Sequence, residues 1–595
     1  MAFKNYILVC GGTACESSKS DQIYKNLVEE AKAQGVADQV QVVKTGCFGF
    51  CEQGPIVKIL PEDSFYVRVK PEDAKEIISE HVIKGREITR LQYGHHVRKA
   101  YEEVEDIQFY KKQKRVVLRN CGKIDPENID EYIACDGYKA LEKALFEMSE
   151  DDIINELKVA GLRGRGGAGF PTWMKWNFTK QAEGDVKYVV CNADEGDPGA
   201  YMDRSTLEGD PHSVLEAMTI CGKAIGAHQG FIYIRAEYPL AIHRLEVAMK
   251  QAREYGLLGK NILGSGFDYD IEIRLGAGAF VCGEETALLQ SIEGHRGMPQ
   301  PRPPFPAVKG LWGKPTVINN VETWANIPAI IVRGGKWFAS IGTEDSHGTK
   351  VFALTGKICN SGLVEVPMGT TLREIVFDIG GGIANGKKFK AVQTGGPSGG
   401  VITEENLDTP IDFGSLMKIG SMMGSGGMIV MDEDDCIVDV AKFYLDFTVD
   451  ESCGKCAPCR IGGKTLNGLL SKITEGKATD DDVVQMRQIA LAMQKGSLCA
   501  LGQTAPNPVL STLKYFPEEY EAHIRDKKCP SGKCKKLISY SIDPSKCIGC
   551  TACARKCPVG AISGELKKPH SINTQVCIKC GVCKETCKFS AISVK

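Results

Sequence analysis

Apolar residues along the chain fall into short runs bounded by glycine or polar residues, and no window of 18 or more is uninterrupted. That pattern argues against a transmembrane helix. Tyr6-Ile-Leu-Val9 reads as a strand, followed by a helix-like stretch and a second strand over Val40 to Lys44. A strand-loop-helix-strand-loop order brings the two loops to one end of a sheet. Val189-Val-Cys191 reads as a buried strand running into Asn192-Ala-Asp-Glu-Gly-Asp-Pro-Gly199. Val351-Phe-Ala-Leu-Thr355 and Gly362-Leu-Val-Glu-Val-Pro367 predict two more strands, and Thr371-Leu-Arg-Glu-Ile-Val376 a helix opened by a threonine cap. Leu466, Leu469, Leu470 and Ile473 recur at helical spacing. The mixture of periods predicts an α/β chain, and 595 residues exceed what one core can organise, so several domains are expected.

Composition narrows the class. A formal charge of −2 gives no reason to propose nucleic-acid binding. The start, Met1-Ala-Phe-Lys4, leads into an apolar stretch ending at Cys10 with no small-residue cleavage site, which points to a cytoplasmic protein. Cysteine is the outlier, with 25 residues in tight groups separated by long cysteine-poor stretches. Disulfide scaffolds are short and cysteine-dense throughout, so metal binding is the better reading.

Cys547, Cys550, Cys553 and Cys557 form C-x2-C-x2-C-x3-C followed by Pro558, and Cys577, Cys580, Cys583 and Cys587 repeat the spacing. In such doubled runs three thiolates come from one loop, and the fourth ligates the other cluster. One [4Fe-4S] cluster then takes Cys547, Cys550, Cys553 and Cys587, the other Cys577, Cys580, Cys583 and Cys557. The segment resembles a two-cluster ferredoxin, with Lys588 where the second run would carry proline. Paired zinc ribbons are the competing reading. Cys453, Cys456 and Cys459 lie on a turn, and Cys499 follows a helical stretch. By spacing alone they hold either a cubane cluster or zinc. At the other end, Cys10 and Cys15 form C-x4-C and Cys47 and Cys51 form C-x3-C. Residues 1–90 resemble a thioredoxin-like [2Fe-2S] ferredoxin; a dithiol redox site or zinc are the alternatives.

Gly161-Leu-Arg-Gly-Arg-Gly-Gly-Ala-Gly-Phe170 combines glycines with Arg163 and Arg165, and such a loop suits phosphate. Gly276-Ala-Gly-Ala-Phe-Val-Cys-Gly-Glu-Glu-Thr-Ala287 precedes a proline-rich stretch, Pro299 to Pro306. With Asn192–Gly199, Glu451-Ser-Cys-Gly-Lys-Cys456 and Ser497-Leu-Cys499, these runs resemble the NADH-oxidising flavoprotein subunit of respiratory complex I and its soluble hydrogenase relatives, over about 120–515. That resemblance implies a Rossmann-like domain holding FMN with the nicotinamide stacked on it, and it settles Cys453, Cys456, Cys459 and Cys499 as [4Fe-4S] ligands. By position it makes Gly164, Arg165, Gly166, Gly167, Lys175, Asn192, Asp194, Gly283, Glu284, Asn319 and Asn320 the FMN side of the site. Phe170, Phe178, Glu195, Glu285 and Phe305 fall on the NAD(H) side. Burial statistics nevertheless favour core packing for each phenylalanine taken singly. Gly196-Asp197 departs from the Ser-Glu more frequent in those enzymes, and Cys191 and Cys282 are expected as buried apolar residues.

Sixteen of the 25 cysteines belong to these groups. Of the rest, Cys529 and Cys534 stand with His523 in a lysine-rich stretch, a ligand set for Zn²⁺ that lacks a fourth member locally. Cys436 is the candidate fourth. The predicted layout is a thioredoxin-like [2Fe-2S] domain (1–90), a linker (91–120), the FMN and NAD(H) domain (121–340), a β-grasp domain (341–430), a helical-bundle [4Fe-4S] domain (431–515), the Cys/His linker (516–540) and the two-cluster ferredoxin (541–595). This order resembles the flavoprotein subunits of electron-bifurcating [FeFe]-hydrogenases. It implies hydride exchange between NAD(H) and FMN with no catalytic side chain, one [2Fe-2S] and three [4Fe-4S] clusters, and a hetero-oligomer. The implied partners are ferredoxin, a hydrogenase catalytic subunit and a small [2Fe-2S] subunit. A diaphorase component of formate dehydrogenase and a non-catalytic electron-transfer scaffold are the alternative readings.

Overall fold

The computed structural model describes residues 3–93 and 107–594. The first part of the predicted linker lies outside the described residues. The chain forms two compact units: the first comprises 1–431 with Glu451–Lys455 and Leu498–Leu501, and the second comprises Asp432–Asp450, Cys456–Ser497 and Gly502–Lys595.

The first unit opens with β1 (Asn5–Cys10), α1 (Ser20–Ala33), β2 (Val40–Thr45), β3 (Val57–Leu60) and β4 (Ser64–Tyr66), in the sheet order β2-β1-β3-β4. Ile23, Leu27 and Ala31 recur every four residues on α1 and bury one face against Ile7 and Val9 of β1. β1 and β2 run parallel, with Cys10 opposite Thr45. Their following loops therefore leave the same end of the sheet, and those loops carry the cysteines.

The next domain contains α2 (Thr172–Gln181), β5 (Tyr188–Ala193), α3 (Met202–Gly209), α4 (Pro211–Ile225), β6 (Gln229–Arg235), β7 (Asp270–Gly276), α5 (Glu285–Ile292), β8 (Thr316–Asn320) and α6 (Val321–Arg333). The four strands are parallel in the order β7-β6-β5-β8. Val189, Val190 and Cys191 are all buried, as a strand covered on both faces requires. The chain steps from β5 to β6 to β7, then returns to place β8 on the other side of β5. A crevice opens beyond the carboxyl ends of strands at such a reversal.

The third domain is a mixed sheet of β9 (Thr349–Gly356), β10 (Gly362–Pro367), β11 (Phe389–Thr394), β12 (Val401–Ile402) and β13 (Gly427–Asp432), in the order β10-β9-β13-β11-β12. Thr371 caps the following helix: its Oγ1 accepts from the Glu374 amide at 3.2 Å, and Glu374 Oε2 accepts from the Thr371 amide at 3.0 Å. The later part of the predicted linker is packed rather than loose. Phe109 stacks on Phe50 with ring centroids 4.2 Å apart, and Glu365 accepts hydrogen bonds from the amides of Val116, Val117 and Leu118 at 2.9 Å each.

The second unit contains α7 (Ile437–Asp450), α8 (Gly463–Thr474), α9 (Asp480–Gly496), α10 (Asn507–Tyr515) and α11 (Pro517–Ile524). Leu466, Leu469, Leu470 and Ile473 form the buried stripe of α8, as the spacing predicts. The carboxyl-terminal module has β14 (Tyr540–Ile542), α12 (Ala552–Lys556), β15 (Ile562–Ser563), β16 (Ser571–Ile572), α13 (Val582–Thr586) and β17 (Ile592–Val594). Its first and last strands pair antiparallel and close the module. Among the described residues no helix is long and apolar enough to cross a membrane.

One buried ion pair fastens the parallel-sheet domain to the mixed sheet. Lys350 of β9 meets Glu322 of α6 with both side chains at most 1% exposed, and Lys350 Nζ also donates to Val351 O at 2.8 Å and Ser425 O at 2.7 Å. Removing one partner leaves a buried charge uncompensated, at a cost of about 3–5 kcal/mol. Lys350→Met should lower the thermal midpoint sharply, and the double change Lys350→Met/Glu322→Leu should recover most of the loss. Equal destabilisation in both variants, measured by calorimetry, would show that packing volume rather than charge is at stake.

Candidate functional site

The reversal between β5 and β8 gathers the predicted flavin residues. Cys191 lies opposite Asn319 and Asn192 opposite Asn320, so the polar ends of both strands emerge side by side. Asn192 Nδ2 donates to Gly283 O at 2.9 Å and its Oδ1 accepts from the Asp194 amide at 3.1 Å, which fixes the turn leaving β5. Asn320 caps α6 through the Thr323 amide at 3.2 Å and also donates to Asp203. Asn319, with its amide turned to satisfy its neighbours, accepts from Trp176 Nε1 at 3.0 Å. The glycine loop closes over this edge: the Gly164 amide donates to Phe170 O at 2.9 Å, and the Arg165 amide to Thr323 Oγ1 at 2.9 Å. A Cβ on Gly166 would lie 3.0 Å from Asn320, and Gly167 has φ +124°, so this close backbone approach selects glycine.

Both carboxylate oxygens of Asp194 are buried without a hydrogen-bond partner, as is Asp203 Oδ1. Burial lifts Asp194 to about 7, and it lifts Asp203 well above the usual carboxylate range. Buried acceptors of this kind call for donors from a ligand. The hydroxyls and ring N–H of a flavin nucleotide supply them, so the residues present fit FMN.

Arg165, Glu195 and the phenylalanines make contacts or take exposures that the sequence did not forecast. Arg165 does not offer its guanidinium to a phosphate: its nitrogens donate to Thr349 O at 3.0 Å, Arg163 O at 2.9 Å and His347 O at 2.6 Å, and the side chain is fully buried. It braces the loop instead. The Glu195 carboxylate caps the start of α3 through the amides of Asp203 and Arg204, both at 3.1 Å. The phenylalanines are not core residues: Phe170, Phe178 and Phe305 are 41%, 44% and 55% exposed. Phe305 enters the Pro306–Lys309 turn, which packs on α2, the helix that carries Phe178 and follows Phe170. The elements that carry Phe305 and Phe178 therefore pack together, with Phe170 just ahead of the same helix. Glu285 meets Arg302 at 2.6 Å and Lys175 at 3.5 Å. Glu284 caps α5 through the amides of Thr286 and Ala287. Cys191 and Cys282 are buried, and burial raises both thiols.

Sequence reasoning missed Asp203 and the Asp197–Ser425 hydrogen bond. Asp203 carries no motif, and its role arises only because α3 folds back beside β8. Burial raises Asp197 to about 6.

The cysteine groups are gathered in three places. At the end of the amino-terminal sheet, the Cys10 thiol is within hydrogen-bonding reach of Cys15 and Cys47, and Cys47 of Cys51; these contacts push Cys47 well down and Cys10 and Cys51 well up. In the carboxyl-terminal module one cavity is lined by Cys547, Cys550, Cys553 and Cys587, and a second by Cys557, Cys577, Cys580 and Cys583. Those are the crossed sets expected for two cubane clusters. Backbone amides point at the sulfurs, from His570 to Cys547 at 3.5 Å, Ala561 to Cys557 at 3.2 Å and Lys579 to Cys577 at 3.4 Å. Of the remaining group, Cys453 and Cys499 belong to the first unit and Cys456 and Cys459 to the second.

Cys436, His523, Cys529 and Cys534 are all buried, and their ligand atoms lie within 4.8 Å of one another. His523 Nδ1 donates to Glu519 O at 2.7 Å, which leaves Nε2 facing Cys534 Sγ at 3.3 Å and Cys436 Sγ at 3.4 Å. Cys436 and Cys534 sulfurs are 3.7 Å apart. A tetrahedral ion about 2.3 Å from each sulfur sets that edge near about 3.8 Å.

Residues 157–329 match the Nuo51 FMN-binding domain, 439–523 the NADH-ubiquinone oxidoreductase-F iron-sulfur binding region, 2–81 the thioredoxin-like [2Fe-2S] ferredoxin and 540–563 the 4Fe-4S binding domain. An F-type component of NADH-quinone oxidoreductase from Rhizobium meliloti is 47% identical over 415 residues, covering 70% of this chain and 99% of the relative. The chain belongs to the NADH-quinone oxidoreductase-F family. Within that family's wider relations, the HndC component of the NADP-reducing hydrogenase of Solidesulfovibrio fructosivorans is 62% identical over 460 residues, 77% of this chain and 94% of the relative. Among solved structures, an NAD+-reducing [NiFe]-hydrogenase in the H2-reduced state matches with TM-score 0.62 and 30% identity over 88% of this chain and 85% of the other. This member of the oxidoreductase-F family has FMN-binding, [2Fe-2S] and [4Fe-4S] domains.

With Asp194 at about 7 instead of 3.8, the folded cofactor-free chain keeps a proton that the unfolded chain has released. Stability therefore falls as pH rises from about 4 to about 7 and levels off above that. Asp194→Asn should flatten this decline in the thermal midpoint of the FMN-free protein and weaken FMN binding at neutral pH. An unchanged profile in the variant would remove Asp194 as its source.

Proposed function

We propose that the chain is the flavoprotein subunit of a hydrogenase hetero-oligomer that exchanges a hydride with NAD(H) and single electrons with ferredoxin and a hydrogen-activating subunit. The observation that carries the reading is the buried, donor-seeking polar edge at the β5–β8 reversal, with exposed phenylalanine rings on the glycine loop, on α2 and on the turn that packs on α2. The relatives named for NADH-quinone oxidoreduction and for NADP-reducing hydrogenase support it. FMN held here supplies hydride acceptance from a nicotinamide and one-electron release, which nicotinamide alone does not.

The chain's own residues then have distinct tasks. Gly164, Gly166 and Gly167 let the loop backbone reach the flavin phosphate, while Arg165 keeps that loop closed. Asn192, Asp194, Asn319 and Asn320 line the edge that receives the flavin, and Phe170, Phe178 and Phe305 offer stacking faces to the nicotinamide nucleotide. Glu285, held by Lys175 and Arg302, would accept from ribose hydroxyls. One [2Fe-2S] cluster takes Cys10, Cys15, Cys47 and Cys51. Three [4Fe-4S] clusters take Cys453 with Cys456, Cys459 and Cys499, and the two crossed sets of the carboxyl-terminal module. Zn²⁺ takes Cys436, His523, Cys529 and Cys534: three thiols packed this closely stay deprotonated only beside a cation. The mixed sheet of β9–β13 with its capped helix fits a β-grasp domain. Clusters at both ends motivate electron bifurcation through an [FeFe]-hydrogenase partner, because reducing a low-potential ferredoxin from NADH is uphill unless a second transfer is favourable.

Anaerobically purified protein should contain one FMN, one zinc and about 14 iron atoms per chain. Phe305→Ala should raise KM for NADH in a dye-reduction assay about tenfold with little change in kcat, the pattern of lost binding energy. Cys529→Ser should lose the zinc and leave flavin content intact. Absence of flavin from freshly purified chain, or NADH turnover indifferent to Phe305, would refute the flavoprotein reading; unchanged zinc content in Cys529→Ser would refute the metal site.

A further inference from the structure

The two cluster cavities of the carboxyl-terminal module differ in what surrounds them. The cavity of Cys557, Cys577, Cys580 and Cys583 is lined by Tyr540, which also packs on the core that holds Cys529 and Cys534. Beside it Lys579 Nζ donates to Lys536 O at 3.0 Å. That half of the module is tied to the Cys/His linker. Both cavities have exposed apolar lining and an exposed cysteine, Ile578 (55%) and Cys580 in the first and Ile548 (54%), Phe589 (45%) and Cys550 in that of Cys547, Cys550, Cys553 and Cys587. The difference is the tie to the linker, seen among the described residues only beside the first. Leu566, 69% exposed, belongs to the loop that packs on the same cysteine-bearing turn, where the Lys567 amide donates to Gly549 O at 3.0 Å.

Lysines flank Ile548, Leu566 and Phe589. Lys546, Lys567, Lys568 and Lys588 are all exposed, and Lys588 stands where the first run has Pro558. Acidic partners are few: Lys546 meets Asp543 at 4.0 Å and Lys568 meets Glu565 at 2.6 Å. Over 541–595 the module carries nine Lys and Arg against three Asp and Glu, although the whole chain is at −2. An exposed apolar centre with a charged rim of one sign marks a binding surface.

We propose that the face formed by Ile548, Leu566 and Phe589, rimmed by Lys546, Lys567, Lys568 and Lys588, docks an acidic one-electron carrier protein against the cluster held by Cys547, Cys550, Cys553 and Cys587. The proposal rests on the electron-transfer reading above and names the carrier's point of contact. Apolar contact at the centre excludes water between the two redox centres. The lysine rim selects an acidic partner and speeds encounter, which suits a transient interface below about 1,200 Å². Electrons balance singly: one leaves the cluster and one enters the carrier, with no bond made or broken.

The test uses the full cluster-loaded chain and an acidic two-cluster ferredoxin as probe, with equilibrium binding measured at low and high salt. Lys567→Glu/Lys588→Glu should weaken binding about tenfold at low salt and flatten its salt dependence, as loss of rim charge does. Leu566→Ser should weaken it at both salt levels. Iron content and the cluster absorption spectrum confirm that each variant is intact. NADH-dependent dye reduction should be unchanged; its absence from the parent chain would fail the flavoprotein reading, whereas binding speaks only to the docking face. Equal affinity and equal salt slope in parent and both variants would overturn the proposal. So would a change from self-associated to monomeric chain on charge reversal, which would assign the face to a second copy.

Discussion

The flavin site depends on one register, the parallel pairing of β5 with β8. Strand side chains alternate faces, so a slip of one residue would turn Asn192 and Asn320 to opposite sides and separate the polar edge from the glycine loop. What holds the register is apolar. Val189, Val190, Val317 and Ile318 are buried in the two cores on either face of the sheet. The polar residues beyond the strand ends then have little freedom, because they satisfy one another's backbone groups. Asn320 and Glu195 cap helices, and Asn192 and Thr323 fix turns. Asp194 keeps both oxygens in reserve, and burial makes that reserve costly in the absence of a ligand.

The same economy of contacts separates the two kinds of cluster domain. In the amino-terminal domain Cys10, Cys15 and Cys47 are buried, and the loop beside them is sealed onto the rest of the first unit. Gly49 O accepts from the Leu363 amide at 2.7 Å, and Thr13 N donates to Glu208 Oε2 at 3.1 Å. A Cβ on Gly46 would lie 2.4 Å from Gly209 Cα, so the backbones themselves touch. In the carboxyl-terminal module Cys550 and Cys580 are exposed instead.

Much of this was legible from spacing. Cysteine runs mark their own ligand sets because a compact cluster forces the intervals between ligands, and the crossed sets 547-550-553-587 and 557-577-580-583 appear as the two cavity linings. Strands and helices with clear apolar periods, such as β1, β5, β9 and α8, appear where the pattern puts them. Side-chain roles inside the glycine loop were not legible. Arg165 reads as a phosphate ligand because charge beside glycine favours one, yet the loop turns its guanidinium inward to three carbonyls contributed from distant and local backbone. The capping role of Glu195 was hidden for a related reason, since the helix it caps begins only a few residues later and offers it two amides. Phe170 and Phe305 depart from burial statistics because glycine and proline flank them and give them no core to enter, and Phe178 lies on the outer face of α2.

The linker cysteines show where sequence and structure complete each other. Three members of the set, His523, Cys529 and Cys534, lie within a dozen residues, but the fourth, Cys436, is 87 residues from His523. No local spacing rule reaches that far. The fold supplies it: α7 starts at Ile437, directly after Cys436, and packs on α10 and α11, so the residue before α7 is delivered to the end of the helix that carries His523. The His523 Nδ1–Glu519 O bond fixes the ring with Nε2 toward the thiols, so an ion held by these four groups would bind with little further ordering cost. The buried cluster of these four side chains gathers the lysine-rich, poorly apolar segment next to a module that is itself too small for an extensive core.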